Sequence, residues 1–240
     1  DFCGNTAEWE RSVAAGKNPC LLSIEGSAAL CGDLEKLSEA YELGVRLVTI
    51  TWNGACEAGD GCIVPHAKGL TAFGKQLIAG LARRHMIIDV SHLSDAGFYD
   101  VAQETSGAFI ASHSNSRRVC GHPRNLTDEQ FCEIVRRGGL VGLNFYTRFL
   151  REDAEHAVSS DILGHVEHFL ELGGENALAI GADFDGASMP EGITGAQDMT
   201  KVYELLSGRY SQRIADKIFF GNASEFIKTA LTDCKNCNTI

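Results

Sequence analysis

Two Ser-His dipeptides carry the strongest chemical signal in this 240-residue chain. Ser91-His92 and Ser112-His113 each follow a short apolar run, residues 86–90 and 108–111, with a helix-like segment at 95–105 between them. Apolar runs this short, joined by a helical pattern, mark consecutive strands of a parallel βαβ unit. Strands so arranged would set His92 and His113 at equivalent C-terminal ends over one rim. Imidazole is the commonest protein metal ligand and the usual proton shuttle, and α/β folds place their chemistry at strand ends. A metal or acid–base centre is expected there; a plain capping role suits one such histidine better than a matched pair.

Other residues fit the same rim. Glu25 closes the run CLLSI just before Gly26, and a carboxylate beside two imidazoles is a ligand set for Zn²⁺ or a similar divalent ion. Asp183 and Asp185, in DFDG, add two acids that alternation along a strand would point the same way. Either could ligate metal or serve as general base and acid, although an Asx-type turn closed by Gly186 is the plainer reading of Asp185. Arg124, in the loop after His113, could clamp a substrate carboxylate with its planar fork. Arg117 and Arg118 nearby include at least one solvated charge, and His156, His165 and His168 read as surface residues.

The elements that must position these groups are legible as alternating patterns. Strands are expected at 20–24, 45–52, 86–90, 108–111, 140–146 and 177–184. Helices are expected at 7–15, 30–43, 71–84, 95–105, 159–172, 199–206 and 211–231, and the capping box at Thr127–Gln130 opens one more, to Arg137. Near-continuous apolar strands separated by helices mean a parallel sheet. Glu25, Trp52, His92, His113, Asn144 and Asp183 stand at the ends of successive strands. That favours a (β/α)8 barrel over an open doubly wound sheet, with two strands fewer than such a barrel needs. No linker or repeat interrupts it, so residues 1–240 read as one domain with a polar tail at 232–240.

Bulk properties narrow the classes. A net charge of −11 argues against nucleic acid or an anionic membrane as partner. No apolar run approaches the ~20 residues of a membrane span. Nine scattered cysteines form no framework; free thiols in a reducing cytoplasm are the default, with Cys56 and Cys62 the first pair to check for a disulfide. Cys234 and Cys237 make one CxxC in the polar tail, a weak signal for metal or redox chemistry.

The strings IEG, IIDVSH, ASHSNSR, PRN, GLNFY and IGADFDG, in this order across residues 20–231, resemble the membrane (renal-type) dipeptidases, the M19 zinc dipeptidases. The resemblance implies a (β/α)8 barrel that hydrolyses dipeptides with two zinc ions. It implies that Glu25 bridges both metals, that His92 and His113 ligate the second, that Arg124 holds the substrate's C-terminal carboxylate, and that Asp183 handles the proton. Asn144 and Asp185 would line the substrate site with Trp52, which stands where mammalian relatives carry a histidine; an indole N–H can donate a hydrogen bond but cannot carry positive charge. The family's His-x-Asp pair has no counterpart here. The chain is therefore expected to lack roughly the first two strands, to ligate at most one metal well, and to be a poor catalyst by itself. A homo-oligomer or an N-terminal segment outside this sequence would then complete the barrel. Two rival readings are another amidohydrolase-type barrel hydrolase, which needs a strand-end lysine absent here, and an inactive fragment.

Overall fold

Side-chain oxygens set the starts of the first five helices. Asn5, Asp33, Thr71, Ser94 and Thr127 each accept a backbone N–H from the first turn of α1 (Thr6–Ala14), α2 (Leu34–Glu42), α3 (Ala72–Arg83), α4 (Asp95–Glu104) and α5 (Asp128–Arg136). At α5 the bond is reciprocal, Gln130 reaching back to the Thr127 N–H as the sequence pattern requires. The computed structural model describes residues 1–231, and these fall into two compact units, Asp1–Phe109 with the residues from Glu225 on, and Ile110–Ser224.

The first unit is built on a parallel sheet in the order β1 (Leu22–Glu25), β2 (Val45–Thr49), β5 (Ile87–Asp89). The register sets Glu25 beside Thr49 and Thr49 beside Asp89, so one row of the ladder carries all three polar strand ends. Leu37 of α2, Val48 of β2 and Leu77, Ile78 and Leu81 of α3 are wholly buried, each worth about 1.5–3 kcal/mol of transfer free energy. Within the glycine-rich loop after β2, the chain forms a small antiparallel pair, β3 (Ala55–Cys56) and β4 (Gly59–Asp60).

The second unit pairs β6 (Val141–Leu143) with β7 (Leu178–Ile180) in parallel. Its helices are α5, the short α6 (Thr147–Leu150), α7 (Ile162–Glu171), α8 (Met199–Arg209) and α9 (Gln212–Asp216); the chain returns to the first unit within α10 (Asn222–Ala230). Phe131 of α5 and Phe169 of α7 stack at 4.0 Å in its core.

Several expectations are corrected. The described strands form separate sheets rather than one run of six barrel strands. The run at 108–111 forms no extended strand; only Ile110 and Ala111 are bridged, Ala111 in parallel to Val141. The other strands are shorter than their apolar runs, and beyond β6 a side chain takes over the backbone pairing. Beyond Leu143, the Asn115 side-chain amide accepts from Asn144 N at 2.9 Å and donates to Asn144 O at 2.8 Å, as a neighbouring strand would. The helix expected at 211–231 is broken by a π turn at Lys217–Gly221. After it, buried Asn222 donates to the carbonyls of Glu175 and Leu178. Cys56 and Cys62 are free thiols, as are the other described cysteines; Cys234, Cys237 and the tail at 232–240 lie outside the described residues. Among the described residues no helix is long and apolar enough to cross a membrane.

His165 is not a surface residue. It is fully buried, accepts Ser116 N–H on Nδ1 at 3.1 Å and donates from Nε2 to Leu150 O at 3.0 Å. Burial pushes its pKa down from 6.5 to about 4, so the folded protein keeps the ring neutral while the unfolded chain binds a proton below 6.5. Stability is therefore intact above pH 6.5 and falls as pH drops toward 4, by about 3 kcal/mol from this group alone. Urea unfolding between these pH values should show that slope in wild type and a flatter one in His165→Gln; equal slopes would clear His165 of the effect.

Candidate functional site

In the first unit, the row formed by Glu25, Thr49 and Asp89 continues into a tight turn. Asp89 is wholly buried; its Oδ2 accepts from Thr49 Oγ1 at 2.7 Å and its Oδ1 accepts from Ser91 N at 3.0 Å. Leu93 N donates to Val90 O at 3.1 Å, and His92 has φ 67° while Ser91 does not share the positive φ. That is a type II turn with histidine at the position normally given to glycine or asparagine. The backbone cost, about 1–2 kcal/mol, is borne by the residue that the sequence singles out.

The turn aims the imidazole. Asn53 Oδ1 accepts from His92 Nδ1 at 2.8 Å, which makes Nδ1 the protonated nitrogen. Nε2 then presents its lone pair to Glu25 Oε1, 3.0 Å away. Two lone pairs facing each other at that distance need a cation between them, either a proton or a metal ion. The ring is buried, whereas the Glu25 carboxylate is half exposed. Trp52 stands 59% exposed with its ring 6.1 Å from that of His92, an apolar surface left open beside a polar pair.

In the second unit, His113 is buried with Nδ1 2.7 Å from Ser112 Oγ. The chain here runs against two glycines, because a Cβ on Gly142 or on Gly181 would overlap the Ser112 carbonyl oxygen. Arg124 is buried and donates to Ser114 Oγ and to the His113 carbonyl, each at 3.2 Å. Its guanidinium lies 5.2 Å over the Phe149 ring. Beside it, His122 accepts the Arg124 backbone N–H on Nδ1, and burial followed by the Arg124 charge pushes its pKa down. Arg117 donates to the carbonyls of Asn125 and Pro123 and so braces the same loop.

Asp183 lies beyond the end of β7, with φ 62°, and Asp185 has φ 66°. Strand alternation therefore does not govern the pair. Gly186 N donates to Asp183 O at 3.2 Å, and Asp185 takes the third position of that turn, exposed. Asp183 Oδ2 accepts from Asn144 Nδ2 at 3.1 Å. Glu25 and His92 thus meet in one unit, and Asp183 with Asn144, and Arg124 with His113, in the other. Sequence reading passed over Asn53, Asp89, Asn115 and Asn125, which look like ordinary loop or strand polar residues.

With this geometry in hand, comparison with known proteins is decisive. The family model for membrane dipeptidase, peptidase family M19, matches residues 2–237. The chain belongs to that family. An uncharacterized protein encoded in the pqqA 5′ region of Klebsiella pneumoniae is 32% identical over 95% of this chain and 88% of its own length. The crystal structure of dipeptidase AC, an M19 metallopeptidase, superposes with a TM-score of 0.91 at 31% identity, covering 97% of this chain and 72% of that one. A metallopeptidase from Rhodobacter sphaeroides, liganded with a phosphinate mimic of the dipeptide L-Ala-D-Ala, gives 0.90 at 31% identity over 95% of this chain and 68% of that one. Two other relatives are matched over only 47% and 57% of their length. This M19 chain shares the fold of the solved M19 enzymes.

Because Ser112 O sits against both glycines, Gly142→Ala should destabilise this member of the family by roughly 1–3 kcal/mol or more through overpacking. Thermal unfolding would register the loss, and an unchanged midpoint would show that the contact relaxes freely.

Proposed function

We propose that the protein hydrolyses dipeptides, with Glu25, His92 and His113 holding a divalent metal, Zn²⁺ by the family precedent, and that these 240 residues by themselves are a poor catalyst. The observation that supports it is the approach of His92 Nε2 to the Glu25 carboxylate, with Nδ1 already spent on Asn53. Carboxylate oxygen and imidazole nitrogen suit zinc. Such an ion, when bound, would lower the pKa of its water toward ~7 and polarise the scissile carbonyl. The Rhodobacter relative's dipeptide mimic supports the substrate class.

The chain's own residues divide the remaining work. Arg124, its donors already partly directed by Ser114 and His113, holds the dipeptide's C-terminal carboxylate. Asp183 takes a proton from the attacking water and returns it to the leaving amine. The exposed Trp52 indole and Asp185 border the substrate. The amidohydrolase-type alternative lacks its strand-end lysine, and no observation favours it.

Zinc content by mass spectrometry, measured alongside turnover on a dipeptide panel, tests this reading. Bound zinc, hydrolysis abolished by a chelator, and loss of metal in His92→Ala are expected; dipeptide hydrolysis that survives full metal removal would refute it. Arg124→Lys tests the clamp separately. Losing the planar fork should cut kcat/KM for a free dipeptide about tenfold or more and leave its C-terminal amide nearly unaffected. Equal losses on both would remove Arg124 from carboxylate recognition.

A further inference from the structure

Three side-chain amides are buried around the end of β6, those of Asn115, Asn125 and Asn144. Tyr146 N donates to Asn144 Oδ1 at 2.6 Å. With that oxygen fixed as acceptor, the amide cannot flip, and its NH₂ must face the other way. It donates to Asp183 Oδ2 at 3.1 Å and, more weakly, to the His113 carbonyl at 3.4 Å. The backbone carrying Asn144 is pinned as well, since the Asn115 amide takes both its N–H and its C=O. Asn115 is held in turn: its backbone N–H donates to Asn125 Oδ1 at 3.3 Å, and its amide and that of Asn125 both donate to Phe149 O. On the far side of the carboxylate, a Cβ at Gly186 would stand 2.6 Å from Asp183 Oδ1, so any larger residue there would push that oxygen aside.

We infer that Asn144 is the positioning residue of Asp183. Its polarity-locked amide holds Oδ2 as a hydrogen-bond acceptor and leaves Oδ1 as the atom that takes the proton. The inference rests on the proposed role of Asp183 in dipeptide hydrolysis. As the water oxygen bonds to the peptide carbon, its proton passes to Oδ1; as the C–N bond breaks, Oδ1 gives that proton to the departing nitrogen. Asp183 ends each turnover as the carboxylate it began as. Asn144 takes no proton and touches no reacting atom; both ends of its amide are spent on the protein.

Two measurements test this on the full chain. In the metal-free protein, the Asn144 side-chain NH₂ signal, assigned by its disappearance in Asn144→Asp, should shift clearly in Asp183→Asn, where an amide replaces the accepting carboxylate. This arm needs no turnover and does not depend on Asn144→Ala folding. In steady-state kinetics, Asn144→Ala should lower kcat about 10- to 100-fold, the worth of one hydrogen bond to a charged group, with KM within about twofold. Placed in the Asp183→Asn background, it should cost nothing further, because its effect runs through the missing carboxylate. An unmoved NH₂ signal overturns the inference, as does a loss that falls on KM or that multiplies with Asp183→Asn. If Asp183→Asn itself turns over dipeptides at the wild-type rate, the proton role of Asp183 falls and the inference with it. An inactive Asp183→Asn with an unmoved NH₂ signal condemns the inference alone.

Discussion

Backbone groups at the ends of the central strands need partners where no neighbouring strand continues, and this constraint shapes the polar chemistry of both units. A buried N–H or C=O left unpaired costs on the order of 1–3 kcal/mol. In the first unit the Asp89 carboxylate meets the need, taking Ser91 N–H while Thr49 satisfies its other oxygen. In the second the Asn115 amide does so, standing in for a strand beside Asn144. Both solutions put a short polar side chain in the core just below a functional one. Asp89 thereby holds Ser91, the residue before His92, and Asn115 holds the backbone of Asn144.

Once the ladder ends, the chain must turn sharply, and the turns are strained at non-glycine residues. His92, Asp183 and Asp185 all have φ between 62° and 67°. Glycine would relieve each of these positions, but it would remove an imidazole or a carboxylate. Strain of this kind persists only where surrounding bonds over-determine it. At His92 those bonds are the Asn53 and Glu25 contacts on the ring and the Cys62 N–H on the carbonyl. At Asp183 they are the Asn144 amide and the turn to Gly186. Flexible loops could not hold these angles, so the dense hydrogen bonding is a condition of the site's geometry.

How much of this was legible in the sequence follows from what kind of signal each residue leaves. Glu25, His92 and Asp183 follow apolar runs, and an ionisable side chain at such a boundary is visible without knowing the fold. Helix starts were legible for the same reason, since Thr127 and Gln130 carry a local pairing rule. Asn115 and Asn125 left no signal, because an asparagine in a loop rich in serine and arginine looks like solvent-facing polarity until the loop is known to fold inward. His165 did leave one. Ile162, His165, Val166 and Phe169 are all buried in α7, and their spacing is that of one apolar helix face; the histidine was misassigned because its residue type outweighed its position. The strand at 108–111 failed differently. Its composition is apolar enough, but pairing depends on a partner distant in sequence, and only Ile110 and Ala111 are bridged.

The electrostatics around Arg124 are set by how the second unit buries a guanidinium while Arg117 and Arg118 of the same loop stay partly or fully exposed. A guanidinium taken out of water loses several kcal/mol of hydration, and a second positive charge at contact distance would add to that cost. Burial and then the Arg124 charge push the His122 pKa down, and its Nδ1 accepts the Arg124 backbone N–H. A protonated His122 could not accept that bond and would repel the guanidinium. His165, below the same loop, is neutral and likewise accepts Ser116 N–H. Two imidazoles that might have carried charge therefore serve as acceptors, and the buried positive charge at the end of the loop belongs to Arg124. The Arg124 guanidinium is thereby held in one geometry by Ser114, His113 and the Phe149 ring.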